Sequence, residues 1–304
     1  MDVCVIGGSR YFGRRLVEEL RDAGAAVTVI NRGSTPAPAG VTQLRADRAD
    51  EDALRTALGG RRFDAVVDQV CYTPAQAAVA ARVFAGRTPR YLLTSTVEVY
   101  AHLGRPGGPP LAEPALDLST ESVDLQLPWQ DREFASAHYA EGKRQAEALL
   151  SRQAPFDLVT VRTAHVLGGA DFTGRLAHYV ERIEHGLPVA VHPAPQRASF
   201  VHAPEMARFL AWATAAEFTG PVNAASEGPL DVRELCAVVG RAVGAEPVFS
   251  TGGAESPSPS PSPFSFDRCY AMDTGRAARL GFPFSPVFSP VTDWLPLAVK
   301  EARA

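Results

Sequence analysis

"VIGGSRYFGRRL", residues 5–16, is the stretch that decides the fold. The apolar run "DVCVIG" (2–7) reads as a strand, and "FGRRLVEELRDAG" (12–24) as a helix ended by Gly24. Between them stand Gly7, Gly8 and Gly13. Glycines at such a corner permit a tight turn and let backbone N–H groups approach a pyrophosphate at the helix N-terminus. A glycine corner alone is ordinary. On the first strand of an alternating chain it reads as a dinucleotide-binding loop.

The alternation continues outward from this corner. Strands are expected at 26–31, 41–47, 63–70, 90–96 and 156–168, and helices at 50–60, 74–86 and 138–152. Strands separated by helices form a parallel sheet covered on both faces. Between Tyr100 and His138 runs a long Gly/Pro/acid-rich connection, of the kind that serves as a lid or a spacer. Beyond residue 168 the order loosens. A further strand is expected at 198–203 and a helix at 205–215, and the segments 220–226, 231–244, 273–282 and 290–302 suggest a smaller mixed domain. "SPSPSPSP" (256–263) reads as an exposed, extended tether.

Composition excludes several classes. Among 304 residues, 46% are hydrophobic and 21% charged, and no apolar run approaches the roughly 20 residues of a membrane span. "MDVCVIGG" enters a strand at once with no basic leader, so a cytoplasmic protein without a signal peptide is expected. Cys4, Cys71, Cys236 and Cys269 lack metal-ligand spacing, and reduced thiols are the expectation. A net charge of −4 without a basic block argues against nucleic acid as the main partner. Of the 30 Lys+Arg, only Lys143 and Lys300 are lysines, so a lysine in a motif is conspicuous.

Four features carry chemistry. The second strand ends "VINRG" with no acid for a ribose 2′-hydroxyl. Arg32 can instead meet a 2′-phosphate, with Arg10 adding a second charge, or both are simply solvated. The first alternative favours NADP over NAD. Asp47, ending the third strand, is either a contact for the adenine edge or the N-cap of the next helix. Tyr139 and Lys143 stand one helical turn apart in "YAEGK". A phenol of pKa ~10 works as an acid/base near neutrality only where a neighbouring cation stabilises the phenolate. With seven Tyr and two Lys, chance supplies roughly 0.05 such pairs. Finally, "STVEVY" (95–100) puts hydroxyls and an acid at the end of an apolar strand. There Thr96 faces the crevice where open α/β sheets bind ligands, within reach of a substrate oxygen. Ser95 is read as structural, and Thr94 as a strand-end hydrogen bond or a cofactor contact.

In this order, a Gly-rich turn, a strand-end "ST" and a Tyr-x-x-x-Lys resemble the short-chain dehydrogenase/reductase superfamily. Its extended branch, the NAD(P)-dependent epimerase/dehydratases of nucleotide sugars, fits best. "GGSRYFG" looks like the branch's glycine loop, "FDAVVDQVCY" its fourth strand and "VRTAHVLG" its Arg-Pro-x-x-Val-Tyr-Gly element. "ASFVHAPEMA" and "VNAASEGPLDVREL" resemble the segments that return to the core and build the substrate domain.

The resemblance implies a Rossmann-type doubly wound parallel sheet with a smaller mixed α/β C-terminal substrate domain. The dinucleotide-binding domain would be 1–165 plus 196–218, and the substrate domain 166–195 plus 219–304. Tyr139 would be the general acid/base, Lys143 would hold the ribose hydroxyls and depress the phenol pKa, and Thr96 would orient the substrate hydroxyl. Gly7, Gly8, Ser9, Arg10, Tyr11, Phe12 and Gly13 would surround the pyrophosphate, with Asn31, Arg32 and Asp47 on the adenosine side. Gln69, Val70, Thr94, Thr163 and His165 would complete the cofactor set toward the nicotinamide. A small-molecule substrate is implied, as is a homodimer through helices 74–86 and 138–152; the alternative is that those faces pack within the subunit.

The departures are informative. Arg10 replaces the loop's middle glycine, as in an atypical subgroup with "NRG" strand ends that includes chloroplast stem-loop-binding proteins. A non-catalytic RNA-binding reading therefore accompanies the enzymatic one. Thr163 stands where proline is usual. Sugar 4,6-dehydratases carry an Asp-Glu pair where this chain has Val97 and Glu98. Glu98 is either a base beside a transient ketone or an acidic loop residue. The expected chemistry is hydride exchange between NADP, or NAD, and a secondary alcohol or ketone of a nucleotide sugar or similar metabolite. An epimerase or partial dehydratase retaining NAD is the alternative.

Overall fold

Strand β1 (Asp2–Ile6) is buried from Val3 onward, as a strand covered on both faces must be. The computed structural model describes residues 1–168, 171–251, 262–287 and 294–303. After β1 come α1 (Tyr11–Asp22), β2 (Ala26–Asn31), β3 (Thr42–Arg45), α2 (Glu51–Leu58) and β4 (Ala65–Asp68). Then follow α3 (Pro74–Phe84), β5 (Arg90–Thr96), α4 (Arg132–Ala137), α5 (Tyr139–Gln153), β6 (Asp157–Thr163) and β7 (His165–Leu167). The remainder is α6 (Arg175–Glu184), β8 (Val189–Val191), β9 (Phe200–His202), α7 (Ala203–Ala213), β10 (Gly220–Ala224) and α8 (Val232–Val243), with β11 (Phe249–Thr251), α9 (Gly275–Arg279) and α10 (Trp294–Arg303).

Among the described residues, seven strands form one sheet in the order β10-β6-β5-β4-β1-β2-β3. The five pairs from β6 through β3 are parallel. Chain order reverses at β1, between β2 and β4. In doubly wound sheets the carboxyl ends of the strands at that reversal form the ligand crevice. Helices α3 and α5 lie against each other and bury Ala77, Ala80, Val83, Ala146, Leu149 and Leu150. Those faces therefore do pack within the subunit. Each large aliphatic side chain buried this way contributes about 1.5–3 kcal/mol.

Helix starts follow their side chains. The Asp50 carboxylate accepts from Ala53 N at 2.9 Å and caps α2. Asp47 is not that cap; it accepts from Ala49 N at 2.9 Å and shapes the preceding turn. Thr73 caps α3 ahead of Pro74, and Asp231 with Glu234 forms a capping box on α8.

The described chain divides into two compact units. One comprises Met1–Val99, Glu113–Thr163 and Met206–Val222, and the other Tyr100–Ala112, Ala164–Glu205 and Asn223–Ala304. The run 156–168, expected as one strand, breaks at Ala164. Ala164 N donates to Ala224 O at 3.0 Å and His165 N to Ser199 O at 3.2 Å, so the chain changes partners and β7 pairs with β9 instead. No glycine or proline marks that break. The 101–138 connection is packed rather than a spacer: Trp129 is buried and donates Nε1–H to Asp124 O at 2.7 Å. Of the expected tether, 256–261 lie outside the described residues. Ser262 is buried and not extended into solvent, because its N donates to Ala190 O at 2.8 Å and its hydroxyl meets His178 Nε2 at 3.1 Å. Residues 290–293 of the segment 290–302 also lie outside the described residues. Among the described residues no helix is long and apolar enough to cross a membrane.

Candidate active site

The glycine loop leaves its backbone bare. Gly7 and Gly8 have φ of +96° and +78°, a region L side chains avoid. A Cβ on Gly8 would stand 2.9 Å from Val5 and Val17 side chains, and one on Gly13 would stand 2.4 Å from Gln69 Oε1. Tyr11 also takes a positive φ, +55°, the one non-glycine among the described residues to do so. No side chain caps the N-terminus of α1, whose boundary residue is Arg10. Uncapped N–H groups at a helix start, approached through a loop with no room for side chains, suit a pyrophosphate.

The end of β2 is organised by Asn31. Its Nδ2 donates to Ser9 Oγ at 2.6 Å and to Thr35 O at 3.2 Å. Its Oδ1 accepts from Gly33 N at 2.9 Å and Gln43 Nε2 at 2.8 Å. All of the Asn31 amide is thus engaged in tying the glycine loop to the "NRG" turn. Three arginines border this turn. Arg10 donates Nε–H and Nη2–H to Thr35 Oγ1, each at 3.3 Å. Arg45, Cα partner of Asn31 across β2–β3, lies against Gly33. Arg32 is exposed.

Lys143 is 2% exposed, and its ammonium donates to Thr94 O at 2.6 Å and Cys71 O at 2.8 Å. Burial lowers the ammonium below the usual lysine value, while Cys71, Asp68 and Glu147 oppose that fall. Tyr139 begins the same helix and remains half-buried. Its ring centroid is 6.2 Å from that of Tyr72, and the Lys143 ammonium lies 5.3 Å from the Tyr72 ring. Tyr72 is 42% exposed, so its outer surface is open. Gln76 Oε1 accepts from Tyr72 N at 2.7 Å and fixes the backbone there.

At the end of β5 the polar residues separate into distinct roles. Ser95 donates to Glu147 Oε1, and Glu147 pairs with Arg162 at 2.8 Å, both fully buried. Ser95 is therefore structural, through α5 and β6. Thr96 Oγ1 accepts from Glu98 N at 3.2 Å, which leaves the Thr96 hydroxyl proton free to donate. Thr163 is the Cα partner of Thr96 across β5–β6. The Thr163 and Thr94 hydroxyls are buried and have no partner among the described residues. Glu98 sits in the first turn of a 3-10 helix, Val97–Tyr100. Gln69 N donates to Ile6 O at 3.0 Å, its amide packs beneath Gly13, and Val70 packs against Gly7. His165 lies in the other unit, ringed by Phe200, Phe264, Phe266 and Tyr270 at 5.1–5.9 Å.

Four residues have no counterpart in the sequence reading: Tyr72 and the buried pair Arg48–Asp68, which lie about Lys143, and Arg45, which joins the other arginines at β2. The carboxylate of Asp68 within the apolar run "AVVD" was a local signal for the pair. Nothing local marked Tyr72.

Residues 3–225 match the profile of the NAD dependent epimerase/dehydratase family. A 2′-dehydrokanamycin reductase from Streptomyces kanamyceticus is 30% identical over 255 residues, 80% of this chain. The matched stretch spans 66% of that relative's length. Among solved structures, a UDP-glucose 4-epimerase from Thermotoga maritima with UDP-glucose superposes with a TM-score of 0.75 at 18% identity, covering 100% of this chain and 99% of its own. WbmG from Bordetella bronchiseptica, in complex with NAD, gives 0.73 at 18% identity, covering 100% and 93%. At these identities the structural likeness is one of fold.

Proposed function

The chain belongs to the NAD dependent epimerase/dehydratase family, and from that premise we propose that it reduces a ring ketone of a polyhydroxylated metabolite with NADPH. A bound nicotinamide supplies the hydride. Tyr139 gives its phenolic proton to the carbonyl oxygen as that oxygen becomes a hydroxyl. Lys143 stabilises the resulting phenolate by its charge, and its third N–H would be the one available to a ribose hydroxyl. Thr96 uses its free O–H to hold the substrate oxygen beside Tyr139, and general acid catalysis of this kind contributes about 10²–10⁴-fold. Glu98 is an acidic residue of the turn in this reading and takes no proton.

The observation that carries the reading is the Lys143 ammonium, buried on two carbonyls one helical turn from a half-open Tyr139. The glycine loop and the α1 N-terminus would hold the pyrophosphate, with Gly7, Gly8, Ser9, Tyr11, Phe12 and Gly13 around it. Asp47 would serve the adenine edge, and Gln69, Val70, Thr94 and Thr163 would serve the nicotinamide side. Arg10, Arg32 and Arg45 border the turn where a 2′-phosphate would lie, and that cluster of positive charge supports the NADP reading. Net reduction is supported by the relative named as a reductase. A homodimer through the outer surfaces of α3 and α5 belongs to the same proposal, and light scattering tests it.

The test is consumption of NADPH, followed by its fluorescence, against nucleotide-linked keto-hexoses and 2′-dehydro aminoglycosides. The expected result is turnover with at least one class, faster with NADPH than NADH. A protein purified with NAD that it does not exchange, and that isomerises a UDP-hexose without added cofactor, would establish the epimerase alternative instead.

A further inference from the structure

A buried ionic cluster lies inside the sheet beside Lys143, and the chemistry proposed above makes no use of it. Asp68, at the end of β4, is fully buried. Its Oδ2 accepts from Arg48 Nη2 and from Tyr91 OH, the latter at 2.6 Å. Its Oδ1 accepts from Val70 N at 3.0 Å. Arg48 is 8% exposed, and its Nε and Nη1 find no partner among the described residues. Replacing such a pair by apolar residues is often neutral or stabilising, so a buried pair is weak evidence for a purely structural role.

The connection to Lys143 runs through three residues. By accepting from Val70 N, Asp68 folds the end of β4 into a turn. That turn presents the Cys71 carbonyl that the Lys143 ammonium bonds at 2.8 Å. We propose that Asp68 is a positioning residue for Lys143: it shapes the turn that holds the ammonium and supplies the buried negative charge that compensates it. Several charged or titratable groups surround Lys143. Cys71 lies on the β4–α3 loop, and burial pushes its thiol up to about 11, so it is neutral near pH 7. Tyr72 on that loop and Tyr91 on β5 are pushed above the usual tyrosine value by burial and by Asp68. Tyr139 stands one turn earlier on α5. Glu147, one turn further along α5, is engaged by Arg162 and Ser95. Arg48 opposes the lysine. Asp68 pairs with Arg48 and also accepts from Tyr91 and the Val70 amide, and of the two buried carboxylates it is the one joined to the turn that holds Lys143.

The catalytic consequence rests on the role given to Lys143 above, whereas the charge relationship does not. Because Lys143 and Lys300 are the only lysines, protein made with lysine labelled at ¹³Cε gives two resonances, assigned with Lys300→Arg. Their titration is followed on the full chain without cofactor or substrate. Asp68→Asn is expected to lower the Lys143 midpoint by about one pH unit, a tenfold loss of proton affinity, with Lys300 unmoved. Arg48→Met is expected to raise it. A fall under about half a unit in Asp68→Asn, or a rise, overturns the proposal. Should Asp68→Asn not fold, Asp68→Asn combined with Arg48→Met decides: a midpoint below that of Arg48→Met alone upholds the proposal, and an unchanged or raised one overturns it. Absence of reductase activity would leave either result intact.

Discussion

The backbone of Gly142 meets the carbonyl oxygen of Tyr72 so closely that a Cβ would stand 2.7 Å from it and 3.1 Å from the Trp129 ring. Helix α5 therefore approaches the loop after β4 at the one residue between Tyr139 and Lys143 that has no side chain. This contact sets the distance between Tyr139 and Tyr72.

Gly142→Ala gains about 1 kcal/mol of helix propensity and incurs about 1–3 kcal/mol of overpacking. A main-chain carbonyl cannot rotate away, so the net expectation is destabilisation of about 1 kcal/mol. Urea unfolding with an unchanged m-value measures it. A stabilised variant would show that α5 can retreat freely.

The Glu147–Arg162 pair carries a second expectation. Both side chains are fully buried, and Arg162 Nη1 also donates to Glu113 O at 3.0 Å. Glu147→Gln leaves the guanidinium without its counter-charge, at a cost of about 3–5 kcal/mol. Glu147→Leu with Arg162→Met should recover most of that loss. A double-mutant cycle with no coupling would contradict the account.

The third expectation concerns pH. Burial, with a smaller contribution from Arg175, pushes the His165 imidazole down to about 3. The unfolded chain titrates this group near 6.5. Between those values the unfolded state binds a proton that the folded state refuses. Stability from this group is therefore complete above about pH 6.5 and falls as pH drops toward 3, by at most about 1.4 kcal/mol per unit. His165→Phe suits the aromatic surroundings and should flatten that slope, as measured by denaturant midpoints across the range. Parallel curves for the two proteins would refute it.

Local patterns account for what the sequence made legible. The glycine corner, the alternation through β6 and the Tyr139–Lys143 spacing are properties of short segments, and each lies where expected. What stayed hidden depends on contacts between distant segments. Nothing in "VRTAHVLG" marks the break at Ala164, because the break is made by Ala224 and Ser199. Ser262 reads as part of a polar repeat, yet Ala190 and His178 bury it. Tyr72 looks like a loop aromatic until Gly142 brings α5 against it. Asp47 reads as a reasonable cap by sequence, and only the turn geometry gives that role to Asp50.

A fourth expectation follows from the arginines around the "NRG" turn. Arg32→Ala should weaken NADPH binding about tenfold or more, leave NADH binding within about twofold, and reduce the salt dependence of NADPH binding. Fluorescence titration at two salt concentrations measures both. Equal losses for the two cofactors would remove the arginines from 2′-phosphate recognition.

The central claim is that Tyr139 transfers the proton while Lys143 and the glycine loop hold the cofactor. The direct measurement is Tyr139→Phe, compared with the parent protein for NADPH binding and for reduction of whichever keto substrate the parent accepts. The account predicts NADPH affinity within about threefold of the parent and a rate lower by about 10²-fold or more. A variant that binds NADPH normally and still turns over within about threefold of the parent would contradict it.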